Sequence, residues 1–176
     1  MGHEAFQRAA LVFTLFDTNG NGVLDAEDFD LMTERLLTVA EDSPAADRQA
    51  LADSLSRYWQ VLSETLDTNR DGLISPEEFR GFVLNTELFG VTAAAFAEAL
   101  AVLGDPDGDG LIERPRFLSL MTAIGFEKPN IESLFNAFGP DAEDRITVGV
   151  WAEGIRDYYS PEKVGIPGDH LVPESF

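Results

Sequence analysis

Cysteine is absent from the 176 residues, so the chain has no disulfide frame, no thiolate nucleophile and no cysteine zinc site. Basic residues are scarce: Lys and Arg total 12 against 32 acids, a formal net charge of -20. Nucleic-acid binding rests on neutralising phosphates, and attraction to anionic membrane surfaces rests on basic clusters, so this charge tells against both. No stretch approaches the roughly 20 apolar residues that a membrane span needs. The opening MGHEAFQRAALVFTLFD is mixed and amphipathic, with neither a positive start before an apolar run nor a cleavage site. These absences lead to the expectation of a soluble, self-repelling, cytoplasmic monomer. Tyr (three) and Trp (two) are few beside thirteen Phe, which suggests a Phe-rich helical core.

What the chain has is a repeated acidic loop. Residues 67–78 read DTNRDGLISPEE. Side-chain oxygens stand at loop positions 1, 3 and 5 (Asp67, Asn69, Asp71), and Gly72 supplies the sharp turn at position 6. Leu73 offers a backbone carbonyl at position 7, Ser75 reaches an ion directly or through water at position 9, and Glu78 closes with two oxygens at position 12. A hard divalent cation wants six to eight oxygens around one point, and this spacing provides them. Residues 17–28, DTNGNGVLDAED, place Asp17, Asn19, Asn21, Gly22 and Asp25 in the same roles. Asp28 at position 12 is one methylene shorter than Glu, so a tighter site, friendlier to magnesium, is expected there.

The third and fourth copies depart from the pattern. Residues 105–116, DPDGDGLIERPR, keep Asp105, Asp107, Asp109, Leu111 and Glu113, but position 12 is Arg116, whose guanidinium offers only donors. One reading has Arg116 pairing with the three aspartates in place of an ion; against it, a helix N-terminus is unfavourable ground for a cation. Residues 139–150, GPDAEDRITVGV, lose the chemistry at Gly139, Asp144 and Val150. Two calcium sites are therefore expected, with a third in doubt.

The apolar frame repeats even where ligands fail. Position 8 is Leu24, Ile74, Ile112 and Ile146, residues suited to a short antiparallel contact between loops. Position 13 is Phe29, Phe79, Phe117 and Trp151, and Phe13/Phe16, Leu62/Leu66, Leu100/Leu103 and Phe135/Phe138 precede the loops at helical spacing. The chain thus reads as all-α: four helix–loop–helix units in two packed lobes, with eight helices. Residues 1–90 hold the first pair, 91–159 the second, and 160–176 an irregular tail that packs on the body through Val164, Ile166, Leu171, Val172 and Phe176. Helices are expected over 3–16, from Leu24 to about Ala40, from a Ser43 cap to Leu66, after a Ser75-Pro76 cap, and over 93–103 behind a Thr92 cap. Three more are expected over 111–124, 130–138 and 149–159. The loops begin at residues 17, 67, 105 and 139, so the first interval is the longest and calls for an extended helix pair.

Four such units, the long first interval and this tail resemble the EF-hand sarcoplasmic calcium-binding protein family and its bacterial relatives of the calerythrin type. DTNGNGVLDAEDF and DTNRDGLISPEEF carry the resemblance. It implies metal ligands at Asp17, Asn19, Asn21, Val23 and Asp28, and at Asp67, Asn69, Asp71, Leu73 and Glu78, with Asp25 and Ser75 acting directly or through water. It also implies compact, closed lobes with a largely buffering role.

The leading functional expectation is a calcium buffer without enzyme activity. Only Met1, Met32 and Met121 occur, whereas sensors expose a Met-rich groove. The alternatives are a sensor that docks onto a partner protein, and a cavity protein that binds or acts on an apolar small molecule. Tyr58, Trp59, Trp151, Tyr158 and Tyr159 read as core and lobe contacts. No nucleophile–base pair is visible, and His3 and His170 read as exposed.

Overall fold

A computed structural model describes residues 3–160 and 163–173. Its helices are α1 (His3–Phe16), α2 (Ala26–Val39), α3 (Ala45–Leu66), α4 (Pro76–Phe79), α5 (Thr86–Leu103), α6 (Arg114–Ile124), α7 (Lys128–Ala137) and α8 (Val148–Tyr158). Two three-residue strands, β1 (Leu111–Glu113) and β2 (Arg145–Thr147), pair antiparallel with Ile112 opposite Ile146. The first two loops meet in a single bridge, in which Leu24 and Ile74 exchange N–H···O bonds of 2.9 and 2.8 Å.

The apolar frame of the repeat becomes the core. Leu24, Ile74, Ile112 and Ile146 are buried, as are Phe29, Phe79, Phe117 and Trp151. Each is worth roughly 1.5–3 kcal/mol of burial, which is why the units close even where a loop lacks ligands. On α3, the longest helix, Leu51, Leu55, Tyr58 and Leu62 fall on one buried stripe and pack against α5. Phe16, Phe29 and Tyr58 form an aromatic cluster with centroids 5.0–6.3 Å apart, and Tyr58 carries it across to Phe96 and Tyr159. A second cluster joins Phe117 to Phe135 at 5.1 Å and to Trp151 at 4.8 Å.

Several local expectations are corrected. Thr92 does not cap a helix: α5 already begins at Thr86 and runs through it, and the Thr92 hydroxyl donates back to the Leu88 carbonyl. Gly90 inside a helix costs roughly 1 kcal/mol, but Phe89, Ala93 and Phe96 share one buried face whose burial outweighs it. Ser43 does not cap α3 either; Pro44 occupies that position without a side-chain cap. The Ser43 hydroxyl is instead engaged at long range by Leu103 and Arg116. The helix after the second loop lasts four residues and tightens into a 3₁₀ turn over Arg80–Leu84. Tightening brings residues three apart into register, and Phe79 stacks on Phe82 at 5.0 Å and 9°.

The tail is more ordered than expected. A 3₁₀ turn over Pro167–Leu171 packs on α7 and α8, with Leu171 buried. Val164 is 59% exposed and does not join the body, and Phe176 lies outside the described residues. The tail is tied down by Arg8, which is 2% exposed. Its guanidinium donates to the carbonyls of Tyr158 (3.0 Å), Ser160 (3.0 Å) and Lys163 (2.9 Å) and to Asp169 Oδ1 (2.6 Å). It also stands 6.0 Å from the Tyr158 ring centroid.

Candidate metal centre

Three loops share one backbone solution. The carboxylate at position 1 accepts from the N–H groups of positions 5 and 6. Asp17 holds Asn21 and Gly22 at 3.0 and 2.9 Å, Asp67 holds Asp71 and Gly72 at 3.1 and 2.9 Å, and Asp105 holds Asp109 and Gly110 at 3.1 and 2.8 Å. Position 5 then accepts from position 7: Asn21 from Val23, Asp71 from Leu73, Asp109 from Leu111. Asn19, Asn69 and Asp107 at position 3 accept from the N–H of position 5. These bonds fold each loop inward and order its oxygen-bearing side chains. The curl needs left-handed backbone at position 6, where Gly22, Gly72 and Gly110 have φ of 86°, 79° and 83°. In the second loop Arg70 also takes φ 58° at position 4, a strain of roughly 1–2 kcal/mol for a residue with a Cβ.

The closing position separates the loops. Glu78 Oε1 accepts from Thr68 N (3.0 Å) and Thr68 Oγ1 (2.9 Å), and Oε2 from Ser75 N (3.0 Å) and Ser75 Oγ (3.1 Å). Ser75 in turn accepts from Glu78 N, completing a capping box at α4. The Ser75 N–H does most to hold the Glu78 carboxyl down, to about 2. In the first loop Asp28 makes the matching box with Asp25, and its two oxygens accept from Asn19 N (3.1 Å) and Asp25 N (2.9 Å). The shorter side chain is accommodated by drawing it inside: Asp28 is wholly buried, and burial raises its carboxyl above the usual range, assisted by Asp25 and Asp17. Position 2 was not anticipated from spacing. The repeated Asp-Thr-Asn was the available signal, since Thr18 and Thr68 both bond across to the position-12 residue.

In the third loop, ligand oxygens of Asp105, Asp107 and Asp109 lie within 4.8 Å of one another. Burial pushes the Asp105 carboxyl up, and the Asp109 N–H pulls that of Asp107 down. Glu113 is exposed and makes no cap bond. The pairing of Arg116 with these aspartates, entertained from the sequence, is not found. Arg116 turns away to Leu103 O (3.0 and 3.3 Å), Val39 O (3.1 Å), Asp42 Oδ1 (2.8 Å) and Ser43 Oγ (2.7 Å). Its role is structural after all: five donors satisfy the end of α5 and the α2–α3 turn at once, so the unfavourable helix N-terminus is avoided rather than endured.

The fourth loop keeps the shape with the opposite electrostatics. Asp144 takes φ 64° where its counterparts are Gly. It pairs with Arg114 at 2.7 Å, while Asp141 and Glu143 pair with Arg145 at 3.1 and 2.9 Å. Arg114 holds the Asp144 carboxyl below its usual range. Arg114 also stands 4.5 Å from the Phe135 ring centroid. Among the described residues, by contrast, no Lys or Arg pairs with a carboxylate of the first three loops. The first two loops have the donor set, the curl and the uncompensated charge that fit a hard divalent ion. The third has three of these carboxylates and no closing one, and the fourth does not fit.

Comparison with known proteins agrees with this geometry. The EF-hand domain pair family matches residues 6–84. Calerythrin of Saccharopolyspora erythraea is 24% identical over 155 residues, spanning 84% of this chain and 87% of that protein. Sarcoplasmic calcium-binding protein 1 of Astacus leptodactylus is 28% identical over 142 residues, spanning 74% and 73%. The solved structure of a Streptomyces coelicolor calcium-binding protein superposes with a TM-score of 0.74 at 24% identity, covering 90% of this chain and 99% of that one. The chain is an EF-hand protein related to calerythrin and to the sarcoplasmic calcium-binding proteins.

Proposed function

We propose that the protein binds calcium at its first two loops and serves as a calcium buffer. The ligands are Asp17, Asn19, Asn21, the Val23 carbonyl, Asp25 and Asp28 in one site, and Asp67, Asn69, Asp71, the Leu73 carbonyl, Ser75 and Glu78 in the other. The observation that carries the reading is the contrast in charge pairing: among the described residues, carboxylates of the first two loops form no ion pair with Lys or Arg, while those of the fourth are neutralised by Arg114 and Arg145. A divalent cation supplies the missing charge and relieves the desolvation of Asp28. The position-12 carboxylates, Asp28 and Glu78, close the cage from the far side of the curled loop. The short, buried Asp28 makes the first site the smaller cage and the one where magnesium competes best. Bridged at Leu24 and Ile74, the two loops order together, which favours cooperative filling.

Buffering rather than sensing is supported by the methionines. Met32 and Met121 are 1% and 3% exposed, so neither contributes to a surface groove. Among the described residues, no single helix is long and apolar enough to cross a membrane. With the acidic charge, this is compatible with the expected cytoplasmic monomer. Titration calorimetry with calcium, run beside a fluorescent dye for apolar surface, tests the whole reading. Two tight sites with little change in dye emission are expected. Three equivalent sites, or a large calcium-induced rise in emission, overturn it.

A further inference from the structure

Helix α5 is apolar almost all the way round: of its 18 residues only Glu87 and Glu98 carry charge. A helix of this kind is ordinarily covered on every side. One side packs on the core through Phe89, Ala93, Phe96, Ala97 and Leu100. The other side is bare. Leu88, Val91, Ala95, Ala99 and Val102 follow one another at helical spacing along a single face. Leu88, Val91 and Val102 are 47%, 76% and 38% exposed. The face runs for about 21 Å, given the rise of an α-helix. Where α5 packs against α3, the C-terminal half of this face is one wall of an open groove of about 500 Å³. Asp47, Ala50, Asp53 and Ser54 of α3 form the other wall. Charge sits on the flanks of the apolar floor. Asp47 and Asp53 border it from α3 and Glu98 from α5, and Glu87 lies on the same side of the helix as Glu98. Among the described residues, no lysine or arginine lines the groove. Asp53 accepts from the Gln49 amide, and Glu98 meets Arg156 at 3.9 Å with both side chains open to solvent, a pairing worth little.

We propose that this face docks a basic amphipathic helix of another protein, its apolar side on the α5 stripe and its lysines or arginines against Asp47, Asp53, Glu87 and Glu98. Shape admits a helix. Ala50, Ala95 and Ala99 leave a furrow between α3 and α5 that the side-chain ridge of a third helix can enter, and about four turns match the length of the stripe. Charge decides which helix. A second copy of this chain brings its own net charge of -20 and the same acidic flanks, so like charges would face one another. Phosphate-bearing surfaces, whether lipid or nucleic acid, are repelled for the same reason. An apolar ridge between cationic flanks complements both the floor and the rim, the arrangement of an apolar centre inside a polar border that protein interfaces share. The face is already open to solvent, so docking needs no lobe to part. None of these residues lies in a metal loop, and the inference does not rest on the buffer reading. Docking here stations the calcium-binding loops beside the partner without occupying them.

The test uses the intact protein at about 0.15 M salt, where long-range attraction between exposed charges is screened. The probe is a synthetic helix of about 14 residues with leucine on one face and lysine on the other, and its counterpart carries glutamate in place of lysine. Side-chain methyl resonances are followed on titration, once in excess chelator and once in calcium. The lysine probe is expected to shift Leu88, Val91 and Val102 alike in both conditions and to leave the buried Met32 and Met121 in place; the glutamate probe is expected not to bind. Ala95→Arg, at an exposed position on the stripe, is expected to weaken binding at least about 5-fold. Asp53→Asn combined with Glu98→Gln is expected to weaken it about 2- to 30-fold. Asp30→Asn combined with Glu34→Gln removes the same charge from exposed positions of α2 and is expected to leave affinity unchanged, which separates docking from the pull of net charge. Melting curves like the parent's show that the variants are folded. Absence of binding, equal losses in the two double variants, or an Ala95→Arg variant that binds like the parent overturns the proposal. Binding in calcium alone, with Met32 or Met121 shifting, overturns it too, because the probe has then entered an opened lobe. So does a dimer in sedimentation velocity that Ala95→Arg disperses, which gives the face to a second copy, or attachment to phosphatidylcholine vesicles, which gives it to a membrane.

Discussion

Replacing Arg8 by alanine removes one guanidinium that holds the first helix to the end of the chain. The parent side chain satisfies three carbonyls and one carboxylate while nearly sealed from water. Deleting one partner of a fully buried ion pair costs roughly 3–5 kcal/mol, because the other charge is stranded. Here Asp169 is 27% exposed and the Ser160 and Lys163 carbonyls rehydrate once the tail lifts, so the penalty falls to about 2–3 kcal/mol. For a chain of this size, each kcal/mol moves the midpoint by roughly 2–4 °C, so Arg8→Ala is expected to melt about 4–12 °C below the parent. Circular dichroism melts in excess chelator measure this without a contribution from ion binding. Arg8→Lys is expected to recover only part of the loss, since a single ammonium cannot span four acceptors. The tail of Arg8→Ala should also be cut first in limited proteolysis. A midpoint within about 1 °C of the parent refutes the idea that this side chain anchors the tail.

Glu78→Gln keeps the volume of the closing side chain but removes one carboxylate oxygen and the charge; calorimetry is expected to find one calcium site fewer. The same variant tests the pH dependence of the metal-free protein. Because the folded Glu78 carboxyl is held down to about 2 from 4.5, its stabilising contribution is complete above pH 4.5 and disappears as pH falls toward 2. The gap in melting temperature between parent and Glu78→Gln should therefore close across that interval, and a constant gap contradicts the assignment. Arg116→Glu restores a closing carboxylate to the third loop but removes the ties to Leu103, Val39, Asp42 and Ser43. It is expected to add one calcium site while lowering the calcium-free midpoint, whereas Arg116→Gln lowers the midpoint and adds no site.

The metal loops were legible because their chemistry is local. Twelve consecutive residues supply the donors, the left-handed turn and the closing acid, and no distant part of the chain is needed to read Asp67, Asn69, Asp71 and Glu78 together. The helical frame was legible for a related reason: Leu24, Ile74, Ile112 and Ile146, and the aromatics five residues further on, recur at one spacing in every unit. Caps were less secure, because Ser43 and Thr92 look like helix starts until long-range partners compete for them. Ser43 is taken by Arg116, and Thr92 is overruled by the buried face it shares a helix with.

By itself, the sequence determined the helix–loop–helix repeat, the two loops with a full donor set and the failure of the fourth. Tertiary structure alone decided where the leftover charges go. Arg8, Arg114 and Arg116 each meet partners more than twenty residues away, or across the molecule, and no spacing rule announces such a pairing. The unpartnered Trp151 and Tyr158 belong to the same class. A buried polar atom is satisfied or stranded only by what packs around it in three dimensions, whereas an ion-binding loop brings its neighbours along the chain.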